Sequence, residues 1–123
     1  MVNMRYCSEK NILNVELIGR IDFKEMSAYC EKISKDNNLP GSLRILEDAT
    51  LAVFDFDIDK VDQINQIMVS QIAGNRIIIH ALLRTEPIST AYGMISEMAN
   101  NDPRYNAKVF STWQIAMDWL QSR

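Results

Sequence analysis

The strongest hydrophobic pattern in the chain lies in residues 76–85, which read RIIIHALLRT. Both alternating sets of positions between residues 77 and 84 are mainly apolar, which is typical of a β-strand covered on both faces. One set includes the only histidine and consists of Ile78, His80 and Leu82. The pattern predicts a central strand. Suppose that helices cover only the face of the sheet defined by Leu13, Val15 and Leu17. The opposite face would then carry Ile78, His80 and Leu82, which would need another covering partner.

Elsewhere the apolar positions alternate between the period of strands and the period of helices. Strand-like segments are predicted at 4–8, 12–18, 43–46 and 107–110, and helices at about 23–37, 59–72, 87–98 and, after a cap at Ser111, 112–120. The third helix has an apolar stripe that we expect to be buried, formed by Ile88, Ala91, Tyr92, Ile95 and Met98. The order β-β-α-β-α-β-α-β-α predicts an α/β fold with a mixed, mainly parallel five-stranded sheet.

Segment 51–59, with sequence LAVFDFDID, is the hardest to assign. Its apolar and acidic residues alternate as in a strand, but it lies where a connection to the next helix belongs. We therefore predict a structured loop at this position.

Length and composition indicate one globular domain spanning residues 1–123, with 47% hydrophobic residues and few glycines and prolines. The net charge of −3 and the scattered lysines and arginines argue against nucleic-acid binding. No apolar run approaches the roughly 18 residues of a membrane span, and the N-terminal segment lacks the apolar core of a signal peptide. We therefore expect a cytoplasmic protein with no membrane span.

The residues that could carry chemistry form no recognisable catalytic or metal-binding motif. No serine or cysteine nucleophile motif accompanies His80, and Cys7 and Cys30 lack the spacing of a zinc site, so two free buried thiols are expected. The acidic residues between 47 and 62 could bind Mg²⁺ or Ca²⁺, but they lack the pattern of a calcium loop and are more typical of a solvated acidic edge. The sequence thus predicts no enzyme activity, no metal and no cofactor, with a small hydrolase or transferase as the alternative.

The element order, the opening hairpin with its capped helix, and the C-terminal segment AKVFSTWQIAMDWL at 107–120 resemble STAS domains, in particular their bacterial SpoIIAA-like branch. In phosphorylated members, an acid after the third strand is followed eight residues later by an Asp-Ser-Ser-Gly turn. Here Glu47 matches the first acid in kind and Asp55 matches the turn aspartate, but Phe56 and Asp57 stand where the serines would be. The phosphoacceptor hydroxyl is missing. Asp57 either imitates a permanently charged state or, with Asp59, interacts with the helix dipole.

The resemblance implies a non-enzymatic regulatory or protein-interaction module, similar to anti-sigma-factor antagonists. The alternative is a carrier or sensor of a small hydrophobic, lipid-like ligand, because related folds include lipid-handling domains. For the face bearing Ile78, His80 and Leu82, the leading hypothesis is a cover provided by a second copy of the chain in a homodimer. A regulatory protein or a hydrophobic ligand would satisfy the same requirement.

Overall fold

Five strands and four α-helices follow one another in the predicted order in the computed structural model, which describes residues 1–70, 72, 76–99 and 102–123. The strands and helices are β1 (Val2–Cys7), β2 (Ile12–Asp22), α1 (Phe23–Lys35), β3 (Ser42–Asp55), α2 (Val61–Ser70), β4 (Ile77–Leu83), α3 (Pro87–Ala99), β5 (Tyr105–Phe110) and α4 (Trp113–Gln121). A short 3-10 helix at Ile58–Lys60 leads directly into α2. The predicted fold class is confirmed. None of the helices in the described residues is long and apolar enough to cross a bilayer.

The strand order in the sheet follows the sequence, β1-β2-β3-β4-β5. β1 is antiparallel to β2, and the remaining neighbours are parallel. With sequential strands, right-handed crossovers place the connecting helices on one face of the sheet. Accordingly α1, α2 and α3 lie side by side on one face, whereas α4 packs against β3, β4 and β5 on the other.

Each face of the sheet has its own hydrophobic core. Under α1 and α2, Ile78 and Leu82 of β4 pack with Ile33 and Met68 of the helices. On the opposite face Ile79, Ala81 and Leu83 pack against α4 through residues that include Ala116, Met117 and Leu120. β4 is therefore buried on both faces, as its apolar pattern predicted.

The register of the strands corrects the prediction that a second copy covers Ile78, His80 and Leu82. Leu13 of β2 is paired with Ile45 of β3, which is paired with His80. Paired residues of neighbouring strands point to the same face, so His80 shares the face of Leu13 and does not oppose it. Ile78, His80 and Leu82 are at most 2% exposed beneath the chain's own helices, and this face is not a dimer interface.

The predicted loop at 51–59 is wrong over its first half, because β3 continues to Asp55. The continuation pairs with β2, with Ala52 beside Gly19 and Phe54 beside Ile21. The strand-like alternation of the segment was therefore the correct signal. The pairing of β2 with β3 is irregular between Glu16 and Ile18, where β3 has one extra residue. This bulge determines which side chains of the extension point to each face of the sheet.

The predicted buried stripe of α3 is also wrong. The helix buries Ser89 and Gly93, whereas Ile88 and Met98 are 71% and 76% exposed. The reason is a close approach to β5, since a Cβ atom built at Gly93 would lie 2.9 Å from Cγ2 of Val109. Only small side chains fit between α3 and the sheet, so the large apolar residues face outward.

Candidate functional site

Three charged or polar side chains meet in the interior, beneath the helices of the first face. Glu47 lies in the middle of β3, His80 in the middle of β4, and Arg84 directly after β4, and all three are 0–3% exposed. His80 Nε2 lies 3.1 Å from Glu47 Oε1, and a terminal nitrogen of Arg84 donates to Glu47 Oε2. Both carboxylate oxygens are thus paired within the protein.

Glu47 is ionised in this cluster. Burial by itself raises the pKa of a carboxyl group, but the Arg84 guanidinium and then His80 favour the charged form and hold the pKa of Glu47 well below its usual range. Because an ionised carboxylate only accepts hydrogen bonds, Nε2 of His80 is the donor to Glu47. The other ring nitrogen, Nδ1, lies 2.9 Å from the Tyr105 hydroxyl, which satisfies it as an acceptor.

Two tyrosines contact the imidazole, and Cys30 lies near both of them. The Tyr29 hydroxyl lies 3.2 Å from His80 Nε2, on the side away from Tyr105. Burial, reinforced by the nearby negative charge of Glu47, raises the pKa of Tyr29, and burial also raises the pKa of Tyr105 and Cys30. These groups therefore keep their protons. Cys30 is buried and free, as expected, whereas the free Cys7 is only half-buried.

A small cavity of about 30 Å³ adjoins this cluster, enough for one or two water molecules. Glu47, His80 and Arg84 line it on the sheet side. The helices contribute apolar walls, including Met26, Ile64 and Met68. The cavity thus has an apolar body and a fixed polar floor.

Aromatic side chains form the partly exposed wall of the cavity. Phe54 and Tyr92 are stacked with ring centres 5.3 Å apart, and the ring of Phe56 meets that of Tyr92 edge-on at 5.4 Å. The guanidinium of Arg84 lies 5.2 Å from the ring centre of Phe54, a cation–π distance. The hydroxyl of Tyr92 donates to the backbone carbonyl of Phe56, which ties α3 to the end of β3.

A reciprocal pair of hydrogen bonds fixes α2 against α3 at the edge of the cavity. Asn65 Nδ2 donates to the Ser96 carbonyl at 2.7 Å, and Ser96 Oγ donates to Asn65 Oδ1 at 2.7 Å. Both residues line the cavity. The two helices that cover the site are therefore joined by specific polar contacts in addition to apolar packing.

The turn predicted from the STAS resemblance does not form one site. Asp55 ends β3 and is paired with Arg20, whose Nε lies 2.5 Å from its carboxylate. Phe56 belongs to the aromatic wall, and Asp57 is the N-cap of the 3-10 helix without a side-chain hydrogen bond. Of the acidic residues in segment 47–62, only Glu47 is buried. In the described part of the chain, no three acidic, histidine or cysteine side chains are grouped to hold a metal.

Sequence reasoning named His80 and Leu82 but missed Arg84 and both tyrosines. A usable signal was present, since Arg84 directly follows a strand that is apolar except for His80, and Glu47 lies within β3 beside Leu46. Charged residues in such positions are seldom buried unless they are paired. Considering the two together would have predicted the ion pair.

Comparison with known proteins supports the fold. No protein-family model matches this chain, and no curated protein matches it. Among solved structures, the chain is similar to an uncharacterised protein of the DUF3478 family from Shewanella loihica PV-4, described as having a SpoIIAA-like fold. The two are 11% identical with a TM-score of 0.62, over 98% of this chain and 92% of that one. The fold is therefore SpoIIAA-like, and the resemblance found in the sequence is confirmed at the level of the fold.

Proposed function

We propose that this protein is a non-enzymatic regulatory module that binds a small, mainly apolar molecule in the cavity beside Glu47, His80 and Arg84. One observation carries the proposal: an apolar cavity ends on a buried polar cluster in which Arg84 Nε has no hydrogen-bond partner among the described residues. Ligand pockets typically combine apolar walls with a few convergent polar groups. The residues around this cavity fit that description.

The hydrogen bonding of the cluster favours binding over catalysis. Glu47 uses one oxygen for His80 and the other for Arg84, and its lowered pKa makes it a weak base. The partners of His80 in the described residues are Glu47, Tyr29 and Tyr105, with no serine or cysteine nucleophile among them. Cys30 lines the cavity, but its raised pKa disfavours the reactive thiolate.

The walls of the cavity can adapt to a molecule larger than the present space. Met26 and Met68 line it, and methionine side chains are flexible enough to fill irregular gaps. Phe54 and Phe56 are only half-buried, so their rings can move toward solvent without opening the core. We expect the cavity to enlarge on binding while the polar floor stays in place.

Binding of the neutral fluorescent probe N-phenyl-1-naphthylamine tests the proposal. We expect fluorescence enhancement with the wild type and at least about tenfold weaker binding to Ile64→Phe, which fills the cavity. Ile79→Phe makes the same change in the core under α4 and is the matched control, expected to bind like the wild type. Absence of binding to the wild type, or equal loss in both variants, would contradict the proposal.

The outward face of α3 supports a second candidate function, protein interaction through self-association. Ile88, Met94 and Met98 are at least 50% exposed on one side of the helix. No lysine or arginine occurs in α3, whereas a helix that binds a membrane surface usually carries them beside its apolar face. These three side chains are uncharged, and Glu97, the exposed acid of α3, already accepts a hydrogen bond from the Val109 amide. We therefore propose a second copy of the chain as the occupant of this surface.

A further inference from the structure

We infer that the ligand is uncharged and presents one hydrogen-bond acceptor, a carbonyl or hydroxyl oxygen, to Arg84 Nε. This inference rests on the proposed function, because it specifies the chemistry of the same cavity. It follows from two independent observations, the buried Arg84 Nε without a hydrogen-bond partner among the described residues and the balance of charges around the cavity.

Arg84 has a donor that the protein leaves unused. Its terminal nitrogens donate to Glu47 and to the Leu83 carbonyl, while Nε has no partner in the part of the chain that the structure describes, although the residue is only 3% exposed. A buried donor without a partner is unfavourable and rare in folded proteins. Arg84 lines the cavity, so a bound molecule can approach its Nε. An acceptor oxygen of a bound molecule would satisfy it.

The charges around the cavity exclude an anionic ligand. Arg84 is the cation of the cluster, and Glu47 already neutralises it through a direct contact. Both ring nitrogens of His80 are engaged with Glu47 and the tyrosines. A carboxylate or phosphate entering the cavity would lose its hydration next to Glu47 without gaining an unpaired cation. A neutral molecule avoids that penalty.

The apolar walls define the rest of the ligand. Met26, Met68 and Leu82 contact the space above the polar floor, and Phe54 with Phe56 forms its outer wall. The ligand that fits this lining is a small aliphatic or cyclic molecule with a single oxygen-containing group, such as a ketone or an alcohol. A molecule with several polar groups would leave some of them unpaired against methionine and leucine side chains.

Competition between matched compounds tests the inference. N-phenyl-1-naphthylamine is bound to the wild type at neutral pH and displaced with 2-octanone, 1-octanol or octanoate. We expect the ketone and the alcohol to displace the probe at concentrations at least about tenfold lower than octanoate. Octanoate competing as well as the ketone would overturn the inference, as would a bound probe that none of the three displaces. No binding of the probe itself would instead overturn the proposed function.

The substitution Glu47→Gln should reverse the preference for the ketone over the carboxylate. Glu47→Gln keeps the shape but leaves Arg84 without its counter-ion, so octanoate should now compete better than 2-octanone and should raise the melting temperature of the variant. Asp57→Asn, which removes an exposed acid outside the cavity, is the charge-matched control and should keep the preference of the wild type. An unchanged preference in folded Glu47→Gln would overturn the inference. If that variant does not fold, the wild-type competition series decides.

Discussion

At the scale of single residues, Glu47 determines whether the buried cluster is stable. A buried ion pair contributes little net stability compared with apolar residues of similar size, but removal of one partner leaves an uncompensated charge. Arg84 has no other carboxylate at hydrogen-bonding distance in the described residues. The stability of the domain therefore depends on Glu47 far more than on the exposed acids of segment 55–62.

Glu47→Gln should lower the free energy of unfolding by about 3–5 kcal/mol near neutral pH, because Arg84 stays charged and buried. The folded-state pKa of Glu47 lies below its value in the unfolded chain, about 4.3. The stabilisation by the carboxylate is then complete above that value and declines as the pH falls toward the folded-state pKa. Urea unfolding at pH 7 and pH 3 should show a smaller difference between wild type and variant at pH 3.

Asp57→Asn is the control for that measurement, because its exposed carboxylate makes no side-chain capping bond. A change within about 0.5 kcal/mol is expected for this variant. If Glu47→Gln were as stable as Asp57→Asn at pH 7, the Glu47–Arg84 pair would not have the role assigned to it.

The partners of His80 could not be predicted from the sequence. Alternation shows that Ile78, His80 and Leu82 share a face, but it does not say which face of the sheet that is. The answer depends on the pairing of His80 with Ile45 in the neighbouring strand. Strand register is a tertiary property, so a correct set of residues was assigned to the wrong surroundings.

At the scale of elements, α3 reverses the usual arrangement of an amphipathic helix. Its inward side carries Ser89, Gly93 and Ser96, and its outward side carries methionines and isoleucines. The sequence rule that the apolar side is the buried side therefore failed for this helix. The failure has a local cause in the close contact of Gly93 with Val109, and it leaves an apolar surface in solvent.

Met98→Glu should reduce self-association if the outward side of α3 is an interface between copies. One helix face is smaller than the roughly 800 Å² per partner of a standard stable interface, so we expect weak, concentration-dependent dimerisation of the wild type. Sedimentation equilibrium should show this and should show a monomer for Met98→Glu. Gln63→Glu adds the same charge on an exposed position of α2 and should dimerise like the wild type. A wild type that stays monomeric at high concentration would contradict the self-association candidate.

At the scale of the whole molecule, the fold followed from the sequence but the site did not. The switch between strand-like and helical periods gave the element order and the mixed sheet. A local capping signal agrees with it at α1, where Asp22 accepts a hydrogen bond from the Glu25 amide at 2.8 Å, whereas Gly19 lies inside β2 and does not end the strand. The cavity arises where β3, β4, α2 and α3 meet, and no local pattern encodes that meeting point.

The sequential strand order also constrains the order in which the domain folds. Every strand after the first pairs with the strand that precedes it along the chain. Each new strand pair therefore closes a loop between nearby segments and costs little loop entropy. During synthesis on the ribosome, we expect the sheet to grow edge by edge, with α4 docking last onto Ile79 and Leu83. Pulse-labelling hydrogen exchange should then detect protection in β2 and β3 before α4, and simultaneous protection of all three would contradict this order.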